Sequence, residues 1–296
     1  TMKKICLILL SFLFLSQLRP CYGLDWKRIH EEADKKGLAD AWYKMEQGFS
    51  SPQEAYLTAL VLLNQRKDRQ AQMIFQDMLN KDPNSKEAKW GLAETLRRQN
   101  KLQESERILE GLIQSAPAFS PPYISLAYIK YTKLDFKGTI DLARKVIEQG
   151  SDAVDLSNYT RAYLLVAGGK GMLASRGGIF AKIGEGTQVL PNLKKAEKLQ
   201  PDSPAVLFGL GSFYFLAPGI AGGNINKAKE YLEKAIGLDP LFADAYVRLA
   251  QVYRVKGDSQ KFEEYLEKAL EIDPQNALAK DARNKACKFI CVTVKQ

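Results

Sequence analysis

Few residues in this chain have the type and spacing to do chemistry. Its one histidine, His30 in the run IHEEAD, has no second imidazole with which to share a metal, so a metal site there would rest on carboxylates alone. A solvated surface helix is the expected reading of that run. Glu31-Glu32 and Glu263-Glu264 are adjacent pairs, and neighbours on a helix point about 100° apart, so neither makes a general acid–base dyad. Arg97-Arg98 and Lys194-Lys195 read as solvated charged faces in the same way. The stretch AGGKGMLASRGGIFAKIGEG, Ala167 to Gly186, has seven glycines around Lys170 and invites a phosphate-loop reading. The required order is glycine, four residues, then Gly-Lys-Ser/Thr after a strand, and it is not met. A loop or short broken helix packed inside the molecule is expected instead, with ligand gating as the alternative. Cys287 and Cys291, in KACKFICV, would share a helical face but meet poorly for a disulfide unless the helix ends near Phe289. A disulfide within the chain or to another chain, and free thiols, all stay open. There is no nucleophile–base arrangement, dinucleotide fingerprint or metal-ligand cluster, so the chain reads as a non-enzyme without a cofactor.

The wider composition agrees. The chain has 296 residues, 46% hydrophobic and 26% charged, with a formal charge of +9. Mean hydropathy is −0.26 and no apolar run approaches twenty residues, which excludes a multi-span membrane protein. Four cysteines are too few for a disulfide framework of this length, and no dense basic run marks a nucleic-acid arm. At the start, Lys3 and Lys4 precede an apolar stretch from Ile5 to Leu15, followed by Pro20 and Cys21-Tyr22-Gly23. That order describes a secretory signal peptide, residues 1–23, cleaved after Gly23, with a retained anchor as the alternative. Cleavage removes Lys3, Lys4 and Arg19 and brings the charge from +9 to +6. Leu18 fits a lipoprotein signal but Arg19 and Pro20 do not, which argues against lipidation at Cys21. The expected location is periplasmic or secreted, with no stable membrane span after cleavage.

These residues must be positioned by something, and the prolines show what. Pro83 and Pro117 are 34 residues apart, as are Pro240 and Pro274, and Pro201 keeps the phase once two insertions are allowed. Between them, small residues recur where two helices must approach closely and large ones where the gap must be filled. The last repeat, 243–276, reads Tyr246, Leu249, Ala250, Tyr253, Leu266, Ala269 and Pro274. The one before it reads Leu207, Leu210, Gly211, Tyr214, Ala228, Leu232, Ala235 and Pro240. This pattern resembles the tetratricopeptide repeat, a helix–turn–helix unit that buries its apolar face only by stacking on the next. The resemblance implies an all-α fold, a right-handed superhelix of about six repeats with terminal capping helices. The expected organisation is a divergent N-terminal helix pair over 24–51 and three repeats over 52–153. A repeat over 154–203 interrupted at 167–186 comes next, then two repeats over 204–276 and a capping helix and tail over 277–296.

A second insertion, APGIAGGN at 217–224, sits between the two helices of one repeat. Pro218 is expected to stop the first helix, Gly222 and Gly223 to supply positive φ, and Asn224 or Asn226 to cap the second. This turn, the Ala228–Leu232–Ala235 helix and Phe262-Glu263 with Leu266 resemble the tetratricopeptide T-component of periplasmic TRAP transporters. The resemblance covers about residues 155–275 and implies an accessory subunit that pairs with a solute-binding protein. Members of that family are mostly lipoproteins, from which this amino terminus departs.

In such repeats the first helix of each pair lines the concave groove. The places that do so hold Tyr56 and Leu60, then Trp90, then Ile124, Tyr128 and Tyr131, and later Phe208 and Phe215. Aromatic and aliphatic residues dominate, so the Lys/Asn clamp of chaperone-docking relatives is absent. Two readings follow: a non-enzymatic scaffold that binds another protein, or a carrier that holds a hydrophobic small molecule. The alternative for the side chains themselves is packing on neighbouring helices.

Overall fold

Helix starts in this chain are set by short polar side chains and prolines. The computed structural model describes residues 24–34 and 48–289. The signal segment, the expected helix at 38–47 and Cys291 lie outside the described residues. After α1 (Trp26–Ala33) come the pairs α2 (Pro52–Asn64) with α3 (Asp68–Lys81), α4 (Lys86–Arg98) with α5 (Leu102–Ser115), and α6 (Pro121–Thr132) with α7 (Phe136–Gln149). The longer α8 (Leu156–Arg176), the short α9 (Ile179–Gly184) and α10 (Val189–Leu199) follow. Then α11 (Pro204–Leu216) pairs with α12 (Ile225–Leu238) and α13 (Ala243–Val255) with α14 (Ser259–Ile272), before the closing α15 (Ala277–Asn284). Each helix packs on the next, no strand occurs among the described residues, and the result is an all-α solenoid.

Ser51, Ser85, Asp155 and Asn276 each accept a hydrogen bond from a backbone N–H three residues on, which satisfies a donor the helix leaves free. Pro52, Pro121 and Pro204 occupy first helical positions, where the missing N–H costs nothing. The Asp-Pro steps end their helices by one device. Asp82, Asp239 and Asp273 each accept from the N–H two residues on, at 2.9–3.0 Å.

The small residues do what their period implies. Ala59, Ala71, Ala93, Ala127, Ala228, Ala250 and Ala269 are fully buried between paired helices. Where Ser105 or Thr139 takes the small place, its hydroxyl donates to the carbonyl of Ala93 or Ala127 on the partner helix, at 2.7 and 3.3 Å. The turn inside a pair carries one left-handed residue at the same repeat position, Arg66, Asn100, Leu134 or Gly257.

Two glycine-rich segments differ from expectation. Residues 167–176 are not a loop but the second half of α8. A Cβ on Gly169 would stand 2.7 Å from Ile140 Cγ1, so this glycine lets α8 lie against α7. In the 217–224 turn only Gly222 has positive φ, at +94°, whereas Gly223 is needed because a Cβ there would meet the Ala217 carbonyl at 1.9 Å. Asn224 caps α12, accepting from the N–H groups of Asn226 and Lys227.

Candidate functional site: the concave groove

The stack curves so that repeats distant in sequence come together. Lys27 donates to the carbonyls of Ser151 and Asp152 at 3.2 and 2.8 Å, and Ser157 bonds Asp34. Arg66, in the first intra-pair turn, pairs with Asp239 at 3.3 Å. Inside this curve lies a cavity of about 2570 Å³.

Six of the expected groove residues line that cavity: Leu60, Trp90, Ile124, Tyr128, Tyr131 and Phe208. Tyr56 and Phe215 do not. Tyr56 is fully buried, its hydroxyl 2.8 Å from His30 Nε2. Phe215 packs among the core residues of α12 and α13. His30 is itself a correction to the sequence reading, since it is not on a solvated face. It is buried among the rings of Trp26, Tyr56 and Trp90, and burial pushes its pKa below the usual imidazole value.

The wall formed by α4 and α6 is knit together. Trp90 Nε1 donates to Ser125 Oγ at 3.1 Å, and that hydroxyl donates to Glu94 at 2.8 Å. Arg97 grips Glu94 with two bonds, at 2.9 and 2.7 Å. Arg98 adds a third at 3.1 Å and reaches Asp68 and the Leu63 carbonyl. Burial alone would raise the Glu94 carboxyl, but the two guanidiniums and the Ser125 hydroxyl reverse this and hold it far below the usual carboxylate range. Arg97 and Arg98 are therefore half-buried members of an ion-pair network around buried Glu94 and not the expected solvated face. The Arg97 guanidinium also lies 5.4 Å over the Tyr128 ring.

The opposite wall, from α11 and α13, is looser. Arg248, 6% exposed, donates from Nη1 to Gln251 at 2.7 Å, while its Nε and the hydroxyl of Ser212 are buried without a hydrogen-bond partner. Both residues line the cavity. Burial pushes the pKa of Arg248 down and that of nearby Tyr131 up. Asp244 is raised by burial while accepting from Asn276 at 2.7 Å.

The family model described as "Tetratricopeptide repeat" matches residues 62–127 and 220–286. Those two stretches are tetratricopeptide repeats, and the helix pairs between and around them continue the same solenoid. Among solved structures it is similar to "Human IFIT1 dimer with m7Gppp-AAAA", 20% identical with a TM-score of 0.57, covering 87% of this chain and 59% of that one. A monomeric IFIT1 mutant with Gppp-AAAA gives 18% identity and a TM-score of 0.55, over 88% of this chain and 64% of that one. YrrB, described as a TPR protein with an unusual peptide-binding site, is 18% identical over 71% of this chain and 97% of its own, with a TM-score of 0.37. The chain thus spans about three-fifths of the length of IFIT1. No curated protein matches the chain in sequence.

The tetratricopeptide register explains which groove residues the sequence could reveal. It misses Arg248, which follows Val247 on α13, and Phe289, which lies beyond the last repeat yet lines the same cavity. It also misses the mouth. Ile179 and Ile183 on α9, and Ile220 in the 217–224 turn, line the cavity while 64%, 60% and 101% exposed. Lys170 on α8, itself buried, pairs with Glu185 at 2.6 Å and ties the segment after α9 down. Among the described residues no group of acidic, cysteine and histidine side chains could hold a metal, and no helix is long and apolar enough to cross a membrane. Cys287 is disulfide-bonded.

Proposed function

We propose that this chain is a secreted or periplasmic scaffold, without catalysis, that binds a partner protein through its concave groove. The observation that carries the reading is the groove itself. It is large, bordered by aromatic side chains from three different pairs, and it contains buried donors that none of the described residues satisfies. A groove built only to pack would have paired those donors. The resemblance of residues 155–275 to the T-component of TRAP transporters makes a solute-binding protein the specific partner proposed. The test is native mass spectrometry of residues 24–296 mixed with a solute-binding protein of the TRAP class. A complex that is lost in Tyr128→Ala and Phe208→Ala supports the reading, and no complex at micromolar concentrations overturns the transporter assignment.

The exposed Ile179, Ile183 and Ile220 at the mouth favour a second reading, a carrier for a hydrophobic small molecule. Co-purification of an apolar compound, released by denaturation and absent from Trp90→Ala, would put the carrier first.

A further inference from the structure

One place in the groove already holds a peptide, and the peptide belongs to this chain. Past α15 the backbone turns through left-handed Lys285 and Cys287, at φ +52° and +55°, and crosses to the facing wall. Asp281, on α15 itself, accepts from two successive N–H groups of this tail, Lys288 at 2.7 Å and Phe289 at 3.0 Å, one on each carboxylate oxygen. Arg176, at the end of α8, donates to the Lys288 carbonyl. The Phe289 ring stacks on Tyr131 with centroids 6.2 Å apart and planes within 10°. Tyr131 is backed edge-on by Phe136 at 5.3 Å, and Arg176 covers the Phe136 ring at 4.9 Å.

This set of contacts reads main chain on one side and a ring on the other. A carboxylate taking consecutive N–H groups and a guanidinium taking the carbonyl between them are blind to sequence, while the aromatic platform selects for a ring. Peptide-recognition surfaces divide affinity and specificity in this way. The seat is also under-used by its present occupant. Arg248 interacts electrostatically with Tyr131, Asp244 and Asp281, yet its buried Nε donates to none of the described residues. A buried donor left without an acceptor is costly, so an occupant that brought one would gain over residues 287–289.

We propose that Asp281, Arg176, Tyr131 and Arg248 form the partner-recognition seat of the groove. It takes an extended peptide segment of the partner that carries an aromatic residue followed by a carboxylate, and residues 287–289 are its resident stand-in. The proposal rests on the groove being a protein-binding site. Binding of the partner then requires the tail to leave, so the free protein is self-blocked.

The test uses full-length protein and two labelled probes read by fluorescence anisotropy, acetyl-Lys-Ala-Ser-Lys-Phe-amide and the same peptide with a Glu after the Phe. A tethered occupant competes at a high effective concentration, so Phe289→Ala should bind either probe at least about tenfold more tightly than the wild type. Adding Arg176→Gln should reverse that gain. The acidic probe should bind about fivefold more tightly than the neutral one, and Arg248→Gln should erase the difference. Equal affinity of wild type and Phe289→Ala, with unchanged circular dichroism, overturns the stand-in; an acidic-probe advantage that survives Arg248→Gln overturns the role of Arg248. Should Phe289→Ala fail to fold, hydrogen exchange of the wild type decides. Slow exchange of the Lys288 and Phe289 amides supports the seat and unprotected exchange overturns it. If the probes fail while the solute-binding protein is still captured, the seat falls and the groove reading stands; if neither binds, both fall.

Discussion

The two walls of the groove are made from the same repeat and differ in how their polar groups are spent. On the α4–α6 wall the charged groups that line the cavity are answered: Glu94 by Arg97, Arg98 and Ser125, and Arg98 also by Asp68. On the α11–α13 wall Arg248 and Ser212 keep donors in reserve. A closed network holds shape, because each member fixes the rotamer of the next. An open one costs stability in the free protein and is recovered when a ligand arrives. The lesson is that one repeat supports a rigid wall and a receptive one by changing only the residues that face inward.

That contrast can be broken at its strongest point first. Glu94→Ala takes the carboxylate partner from the partly buried Arg97, while Arg98 keeps Asp68, and should cost about 3 kcal/mol. Urea denaturation followed by tryptophan emission measures this directly, since Trp26 and Trp90 both sit at the α1–α4 end. A loss below about 1 kcal/mol would mean the wall is not held by this network.

A second route is pH. The His30 pKa is depressed because burial disfavours the imidazolium, so the unfolded chain takes up a proton before the folded one does. Stability of the α1–α4 end should be full above about pH 6.5 and fall as the pH drops below that value. Thermal melts at pH 7.5 and 5.5 should show the drop in wild type and a much smaller one in His30→Gln. An equal drop in both would assign the loss to other groups.

Smaller effects sharpen the comparison from the other wall. Gly257→Ala, in a turn with φ +81°, should cost about 1 kcal/mol through backbone conformation alone, because no neighbour lies within 4 Å of its Cβ. Arg248→Met should cost no more than about 1 kcal/mol, because losing the Gln251 bond is partly offset by removing a buried donor that is not satisfied. A large loss there would make Arg248 a structural residue and erase the difference between the walls.

The fold was legible because its rule is local and repeated. Ala59, Ala93, Ala127 and Ala250 recur in phase, and only close helix pairing asks for that. The same register reached Leu60, Trp90, Ile124, Tyr128, Tyr131 and Phe208 in the groove. It failed where a residue answers to something outside the repeat. Tyr56 turns to His30 on α1, an element with no repeat pattern, and His30 looked solvated because its neighbours in sequence are charged while its neighbours in space are aromatic. Arg97-Arg98 looked exposed for the same reason. Gly169 read as loop because glycine in sequence does not say whether φ or close approach requires it, and here the requirement is Ile140. Nothing in the sequence places Phe289 against Tyr131, since that contact spans the curve of the whole stack.

The pair Arg66–Asp239 joins residues 173 positions apart, in a molecule whose other packing runs mainly between neighbours. A stack of neighbours is a spring, and this bridge is a clasp on it. The clasp is partly exposed, at 42% and 32%, and such pairs contribute about 0–1 kcal/mol. That is comparable to thermal energy, so this contact breaks and reforms readily, and added salt weakens it by screening. Small-angle scattering at rising salt should therefore show a small growth in the radius of gyration while helix content stays constant, the bonds of Lys27 to the 151–152 carbonyls limiting the change.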